Sequence, residues 1–333
     1  TIWQGSGGKL SKVYSQGYPN SFGLFYSAMT QRLGLKANED EYILMGMAAY
    51  GNAERLYNGK PLYVQVMTAL GIGSKGKKVV SFKKNLHRGC NELFPDLTTE
   101  QDMFDLAAAS QHIYEMMFDR IIKLAKQLYH GPNLVLMGGC ALNCVANSNI
   151  TGNYGFTNIW IMPNPGDAGS CIGVAQKYNS DWTLDWKTPY LGHNIEGEYP
   201  VEKSLKALLN GEIIGIANGR AEFGPRALGN RTLTADPRGP LVKDKMNEIK
   251  HRQKFRPFAP MILEEDVHQY FEMPENIKQS PYMQFVAKCR FPKEFPAIVH
   301  VDGTSRVQTV NQLQHPDLYL LLASFKAETG CPM

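Results

Sequence analysis

Between Arg220 and Arg256 the chain carries ten Lys or Arg residues and four acids, a local excess of +6 in a protein whose net charge is only +4. The rest of the chain is therefore slightly acidic. In "EFGPRALGNRTLTADPR" (222–238) and "KHRQKFRPFAP" (250–260), Arg226 and Arg256 are each bracketed by Phe, Pro and Gly or Ala. A solvated basic face would instead intersperse its cations with polar residues at helical spacing. The observed setting suits guanidinium forks held beside a partly dry surface, where they pair bidentately with phosphate or carboxylate oxygens. Lys250 and Arg252 belong to the same stretch. Desolvated cations require an anion or paired acids. Four acids are few for ten cations, so a compact polyanion such as a nucleoside triphosphate is favoured over a structural ion-pair network, unless acids from elsewhere in the fold supply the pairing. Arg306, in "HVDGTSRVQTV" (300–310), follows a strand and a Gly turn, with Thr304 and Ser305 as hydroxyl donors. It either faces the same anion or is an ordinary surface Arg.

Two Gly-bearing stretches have the look of ligand turns. In "LMGGCALNCVANSN" an apolar run ends at Gly138 and Gly139, so the backbone can approach a ligand closely and helix-start N–H groups can face an anion. A tight strand-to-helix turn is the plain alternative; Asn143 and Asn147, spaced to share a helical face, add modestly to the functional reading. In "NPGDAGSCIG", Asp167 stands at the start of a helix, where it can cap the helix or bind a metal. Capping is the commoner role. Gly166 and Gly169 flank it, and a cap alone does not require them.

These residues need elements to position them. Apolar periodicity predicts helices over 21–35 and 106–130, and apolar runs predict strands at 133–139 and 158–163, each followed by a Gly turn and a helix. That alternation is the grammar of an α/β layer. Further strands are expected at 212–219, 259–263, 283–289 and 297–303, before a closing helix over "DLYLLLASFKAETG". The stretch 179–200 is polar, aromatic and aperiodic, and reads as a linker between two α/β units. With 333 residues, 43% hydrophobic and 20% charged, the chain has enough apolar content for two cores. No apolar run is long enough for a membrane span and the first residues lack the apolar core of a signal peptide, so a cytoplasmic protein with no membrane partner is expected. Six scattered cysteines without a C-x-x-C pair read as reduced thiols.

In order along the chain, "NSFGLFYSAMTQRLGLKANEDEYILMGMAAYG", "GGCALNCVANSN", "NPGDAGSCIGVA", "GRAEFGPRALGNRTLTADPR", "KHRQKFRPFAPMILEE" and "HVDGTSRVQTV" closely resemble the O-carbamoyltransferase family of nodulation, cephamycin and tobramycin type. The resemblance covers nearly the whole chain. It implies that residues 1–178 are the carboxy-terminal part of a sugar-kinase/Hsp70/actin-like domain that passes a carbamoyl group to an acceptor hydroxyl with the help of Fe2+. Residues 201–333 are implied to be a threonylcarbamoyl-adenylate-synthase-like α/β domain that makes carbamoyl adenylate from carbamoyl phosphate and ATP, with Mg2+ as a companion of the nucleotide. Carried over by position, Lys250, Arg256, Arg226 and Arg306 hold carbamoyl phosphate and the ATP phosphates, with Arg252 and Thr304 beside them. Gly138, Gly139, Asn143 and Gly166 form the nucleotide turns, and Asp167 is a metal ligand. The acceptor, a small molecule or a sugar, leaves no motif.

Compared with the family pattern, an amino-terminal segment with an H-x-x-x-H iron pair and a carboxy-terminal N-T-S-F-N strand are not seen here. The chain thus resembles an internal fragment lacking both ends, and inactivity in transfer by itself is the expectation. Two other function classes fit parts of the sequence. A nucleic-acid or polyanion-binding module would use the basic segment, but that segment lacks aromatics alternating with Lys, and no nucleic-acid partner is expected. An ATPase or sugar kinase would use the Gly pair and leave the second unit without a role.

Overall fold

The computed structural model describes residues 1–75, 78–150, 152–179, 184–274 and 276–333. Residues 180–183 of the expected linker therefore lie outside the described residues. Packing divides the chain into one unit of residues 1–133 and 149–157 and another of residues 134–148 and 158–333. The second unit thus takes in the Gly-Gly turn and the "NPGDAG" stretch, a different partition from a division at 179–200.

The first unit is built on one long helix. It opens with an exposed antiparallel hairpin, β1 (Ile2–Ser6) and β2 (Lys9–Tyr14), followed by α1 (Phe22–Arg32) and α2 (Glu41–Met47). Short ribbons β3 (Leu56–Tyr57) with β4 (Lys60–Pro61), and β5 (Gly73–Lys75) with β6 (Lys78–Ser81), flank α3 (Leu62–Leu70). Then comes α4 (Glu100–Leu128), which starts six residues ahead of where its apolar run becomes dense because Thr99 and Asp102 form a capping box. The Thr99 hydroxyl accepts from the Asp102 amide at 3.2 Å, and Asp102 Oδ2 accepts from the Thr99 amide at 2.9 Å. Leu106, Ile113, Tyr114 and Met117 form the buried stripe of α4, which packs with Phe25 and Met29 of α1 and Leu62 and Val66 of α3 in the core. Arg55 ties this helix start to the preceding loop, reaching Asp102 Oδ1 at 2.6 Å and Asp105 Oδ2 at 2.8 Å.

The second unit is mixed α/β and has many small sheets. β7 (Asn133–Leu136) pairs with β8 (Asn158–Ile161), and between them lie α5 (Cys144–Ser148) and the turn before it. After α6 (Ser170–Tyr178), β9 (Tyr190–Ile195) pairs antiparallel with β11 (Gly219–Glu222), and β10 (Ile214–Ala217) with β12 (Arg231–Thr234). Helices α7 (Val201–Leu209), α8 (Val242–Ile249) and α9 (Val267–Tyr270) intervene around β13 (Met261–Leu263). A three-stranded antiparallel sheet joins β14 (Phe271–Glu272), β15 (Val286–Cys289) and β16 (Thr304–Arg306), while β17 (Gln308–Val310) runs parallel to β13. The last helix, α10 (Pro316–Thr329), has Pro316 in its first turn and ends at Gly330 in the left-handed conformation. Ile262, Val267, Phe271, Val307, Leu318 and Phe325 are among the side chains of its core.

Two expectations are corrected. Residues 297–303 form turns and not a strand; the strand begins at Thr304, where pairing with Lys288 of β15 becomes available. The aperiodic stretch 179–200 contains β9, whose side chains are largely exposed, so backbone pairing with β11 holds it and no apolar alternation marks it. Among the described residues no helix is long and apolar enough to cross a membrane, and all six cysteines are free thiols.

The Thr99 hydroxyl, followed by Arg55 and backbone amides, holds the Asp102 carboxyl well below the usual carboxylate range. A depressed folded-state pKa contributes stability above the unfolded value and loses it as the pH falls through the folded one. Asp102→Asn is therefore expected to lower the thermal midpoint at neutral pH, with the gap from wild type narrowing as the pH drops below about 4. Thr99→Ala should cost about 1 kcal/mol in denaturant melts.

Candidate functional site

The loop 222–231 is organised around one carboxylate. Glu222 Oε1 accepts backbone N–H groups from Leu228 at 2.8 Å, Asn230 at 2.9 Å and Arg231 at 3.1 Å. Its carbonyl side is held as firmly. Leu228 O accepts from Tyr190 Oη at 3.0 Å and from Gln308 Nε2 at 2.9 Å, and Gly229 O accepts from Tyr199 Oη at 3.0 Å. Asn230 Nδ2 donates to Arg220 O at 2.8 Å, while its Oδ1 lies 2.7 Å from His315 Nε2. The other ring nitrogen, His315 Nδ1, accepts the Leu318 amide at 3.1 Å as the cap of α10. The proton of the neutral ring is thereby fixed on Nε2, which donates to Asn230. Burial pushes the His315 pKa down, favouring this neutral form, although Asp317 and Glu222 act in the opposite direction.

Three Gly-bearing stretches meet in this unit. Gly224, with φ of +147°, lies so close to the 163–166 turn that a Cβ on it would sit 2.5 Å from Pro163 O. Gly138, at φ +97°, donates its amide to Pro165 O at 2.6 Å, and a Cβ on Gly166 would be 4.0 Å from Gly139 Cα. Residues 139–142 then form a single 3-10 turn, and Asn143 Oδ1 accepts the Ala146 amide at 3.0 Å. Asn143, expected to touch nucleotide, is buried and caps α5. Asp167 is exposed and occupies the first position of the 3-10 turn Asp167–Gly169, with Gly166 as the cap, so the carboxylate is not the capping group. Among the described residues no three His, Cys, Asp or Glu side chains cluster as a metal cage. A lone exposed carboxylate does not fit an iron centre by itself.

The basic segment separates into structural and site residues. Arg231 braces backbone, donating to Asn218 O at 2.7 Å, Asn230 O at 2.8 Å, His193 O at 3.0 Å and Gly219 O at 3.1 Å. Arg238 pairs with Asp236 at 2.6 Å. Four other cations act together. Partial burial, then the charges of Arg252 and Arg256, push the Lys250 pKa below its ordinary value. Burial likewise lowers that of Arg306, Arg256 lowers it further, and Cys144 opposes the shift. Among the described residues no carboxylate is among the groups that shift either pKa. Lys250 caps the C-terminus of α8, and the loop after it is shaped by Asn247, a fully buried side chain of the same helix. Asn247 Nδ2 donates to Lys254 O at 3.2 Å and Arg256 O at 3.0 Å, and its Oδ1 accepts from Arg252 Nε at 2.6 Å. The Arg252 guanidinium also lies 4.1 Å from the centre of the Phe258 ring.

Arg226 is half-buried on the 222–231 loop and is not among the charges acting on Lys250 or Arg306. Thr304, expected to offer its hydroxyl to an anion, donates it to Asp302 Oδ1 at 2.8 Å, and Ser305 donates to Ile298 O at 2.8 Å. Glu222, Asn247, Tyr190, Tyr199 and His315 were not evident from sequence as parts of the site. The only sequence signals were an acid in a basic run and an Asn one helical turn before Lys250.

The unit is thus a mixed α/β body that holds a group of cations and closely packed Gly-bearing turns. Residues 1–176 match the family model described as "Carbamoyltransferase N-terminus" and residues 205–333 match "Carbamoyltransferase C-terminus". The chain belongs to the carbamoyltransferase family. It is 34% identical to the uncharacterized protein sll1178 of Synechocystis, an alignment covering 99% of this chain and 63% of that protein. It is 33% identical to nodulation protein NolO of Bradyrhizobium diazoefficiens, over 99% of this chain and 64% of the relative. A 3'-hydroxymethylcephem-O-carbamoyltransferase of Amycolatopsis lactamdurans is 34% identical over 67% of this chain and 45% of its own length. The chain therefore spans less than two thirds of the length of these relatives.

Removing the Glu222 carboxylate leaves three backbone donors to find other partners. Glu222→Ala is expected to destabilise the unit by about 2 kcal/mol. Hydrogen exchange at the amides of Leu228, Asn230 and Arg231 should accelerate more than at β15; equal protection in variant and wild type would show that the carboxylate does not hold the loop.

Proposed function

We propose that this chain carries the carbamoyl-activating chemistry of an O-carbamoyltransferase. Carbamoyl phosphate and ATP give carbamoyl adenylate, from which the carbamoyl group passes to a hydroxyl of a small-molecule or sugar acceptor. Atoms balance when one water is consumed: carbamoyl phosphate, ATP and water yield carbamoyl adenylate, phosphate and pyrophosphate. In the transfer step the acceptor oxygen bonds to the carbamoyl carbon as AMP leaves, and the hydroxyl proton passes to a base. On this reading residues 201–333 are a threonylcarbamoyl-adenylate-synthase-like domain and residues 1–178 belong to a sugar-kinase/Hsp70/actin-like transfer domain, with 179–200 joining them.

The observation that carries the proposal is the grouping of Lys250, Arg252, Arg256 and Arg306, with Lys250 and Arg306 pushed toward neutrality by burial and by other cations. A phosphate group relieves that repulsion. Charge moves across two phosphate-bearing reactants during adenylate formation, and fixed cations stabilise it without reorganising at the moment of reaction. Gly138, Gly139 and Gly166 supply the close backbone approach that a nucleotide needs. Family membership supports the carbamoyl donor and the hydroxyl acceptor, and one relative's name specifies O-carbamoylation of a hydroxymethylcephem.

Arg256→Ala and Arg306→Ala, each made in the intact protein, are expected to lower carbamoyl-phosphate-dependent pyrophosphate release about 100-fold or more. Lys206→Ala, at an exposed cation of α7, should leave it unchanged. Equal rates in all three variants and wild type would overturn the assignment. A polyanion binder would instead lose affinity similarly at any surface cation and show no nucleotide preference. Because the Lys250 pKa lies below the ordinary lysine value, phosphate affinity should weaken as the pH rises through that lowered value, before surface lysines discharge. Lys250→Arg should remove this alkaline limb from a titration of affinity against pH.

A further inference from the structure

Asn147 Oδ1, Gln308 Oε1 and Arg306 Nε are buried and have no hydrogen-bond partner among the described residues. Asn147 is fully buried and Gln308 is 2% exposed. Neither amide can be turned to relieve this. The Asn147 NH2 group donates to Ala141 O at 2.8 Å and to Gln284 O at 3.1 Å, and the Gln308 NH2 group donates to Leu228 O at 2.9 Å. Flipping either side chain would set oxygen against carbonyl oxygen. Both therefore present a fixed acceptor that lacks a donor, and an orphaned buried acceptor is costly enough to call for an explanation.

The three residues sit on elements that contact one another. Arg306 and Gln308 are two residues apart where β16 passes into β17, a spacing that sets both on the same side of extended backbone. Arg306 pairs in register with Val286, and Gln284, whose carbonyl anchors Asn147, lies two residues before Val286 on the approach to β15. Cys144, which acts electrostatically on Arg306, lies one helical turn before Asn147 on α5. The next residue after Asn147 confirms the contact between α5 and this strand: Ser148 Oγ accepts the Val286 amide at 2.8 Å.

Two fixed acceptors and a guanidinium donor carried on contacting elements describe a complementary ligand. It must offer two N–H groups from one end and an oxygen, preferably anionic, from the other. We propose that Asn147 Oδ1 and Gln308 Oε1 read the two N–H groups of the carbamoyl NH2, while Arg306 holds the oxygen end of the same group. This makes Asn147 and Gln308 specificity-determining residues that select a carbamoyl donor over an acyl donor of the same shape. The inference rests on the carbamoyl phosphate reading of the cation cluster. It adds that the amine end, which the cations do not recognise, is what the orphaned acceptors read.

Acetyl phosphate is the natural probe, because a methyl group replaces NH2 and nothing else changes in size or charge. The intact wild-type protein is expected to bind carbamoyl phosphate at least about 10-fold more tightly than acetyl phosphate by titration calorimetry. Gln308→Met, close in volume but without the acceptor, should bring that ratio toward unity while inorganic phosphate still binds. Asn147→Leu should do the same, and the melting curve of each variant establishes that it is folded. Wild-type protein that binds both acyl phosphates equally overturns the inference without any variant. So does a preference that survives in either folded variant. If the wild type binds neither carbamoyl phosphate nor inorganic phosphate, the reading of the cation cluster falls with it, whereas phosphate binding without amine discrimination removes only the inference about Asn147 and Gln308.

Discussion

One carboxylate in a basic segment sets the shape of everything around it. Glu222 takes three backbone N–H groups on a single oxygen, which draws residues 228–231 into a closed turn. Backbone amides that turn inward need an acceptor, and a side-chain carboxylate supplies it more strongly than a neutral group. The carbonyls of the same turn consequently face outward, where Tyr190, Tyr199 and Gln308 donate to them. Gly224 lies within the same loop, pressed on the carbonyl of Pro163, so the loop has little freedom at either end. Arg226, between these fixed points, is carried on a rigid mount.

A second organiser of the same kind acts on the other basic stretch. Asn247 supplies both donors and an acceptor to the loop after α8, holding the backbone at Lys254 and Arg256 and the guanidinium of Arg252. The two loops share a strategy: a buried or half-buried polar side chain satisfies backbone groups and so fixes the loop that carries the cations. Where the segment does use an acid against a cation, at Asp236 and Arg238, the pair holds the fold and takes the Arg out of the basic cluster. Grouped like charge is costly to assemble, and the hydrogen bonds around Glu222 and Asn247 help offset that cost.

Only the helices with long apolar periodicity, α1, α4 and α10, and those after the two Gly turns were legible from sequence; α2, α3, α7 and α8 were not, and the start of α4 lies ahead of its apolar run because cap chemistry sets a helix end. Thr99 with Asp102, and Pro316 with Gly330, mark helix ends by the chemistry of backbone groups within one turn. Strands β7, β8, β10, β13 and β15 were legible as apolar runs. β9 was not, because a largely exposed ribbon is stabilised by its partner and carries no apolar alternation. The residues 297–303 misled for the converse reason: Ile298 and Ala297 are buried by packing and not by pleating. In the site, the cations were legible as a composition, and the division between structural Arg231 and Arg238 and the grouped Lys250, Arg252, Arg256 and Arg306 was not. Which carbonyls surround a guanidinium is decided by residues far away in sequence, such as His193 for Arg231. Hydroxyls misled in the same way, since Thr304 and Ser305 find acceptors in Asp302 and Ile298 within their own turn.

The same logic bears on how recognition is divided along one strand. Ser305 and Val307 face the core side, buried and satisfied or apolar, while Arg306 and Gln308 alternate with them. Gln308 donates to Leu228 O, so the segment that carries Arg306 and Gln308 is fastened to the loop that bears Arg226 through the Gln308 side-chain amide. That amide has two ends with different duties: its nitrogen is committed to the fold, and its oxygen is left without a donor. A residue whose one end is structural cannot move to accommodate a poor ligand. Rigid placement of the acceptor thus converts the absence of an N–H on a competing ligand into an unsatisfied buried oxygen, and that penalty is what makes discrimination by hydrogen bonding sharper than discrimination by shape. Selectivity in this region is therefore a property of how Gln308 is anchored as much as of which atom it presents.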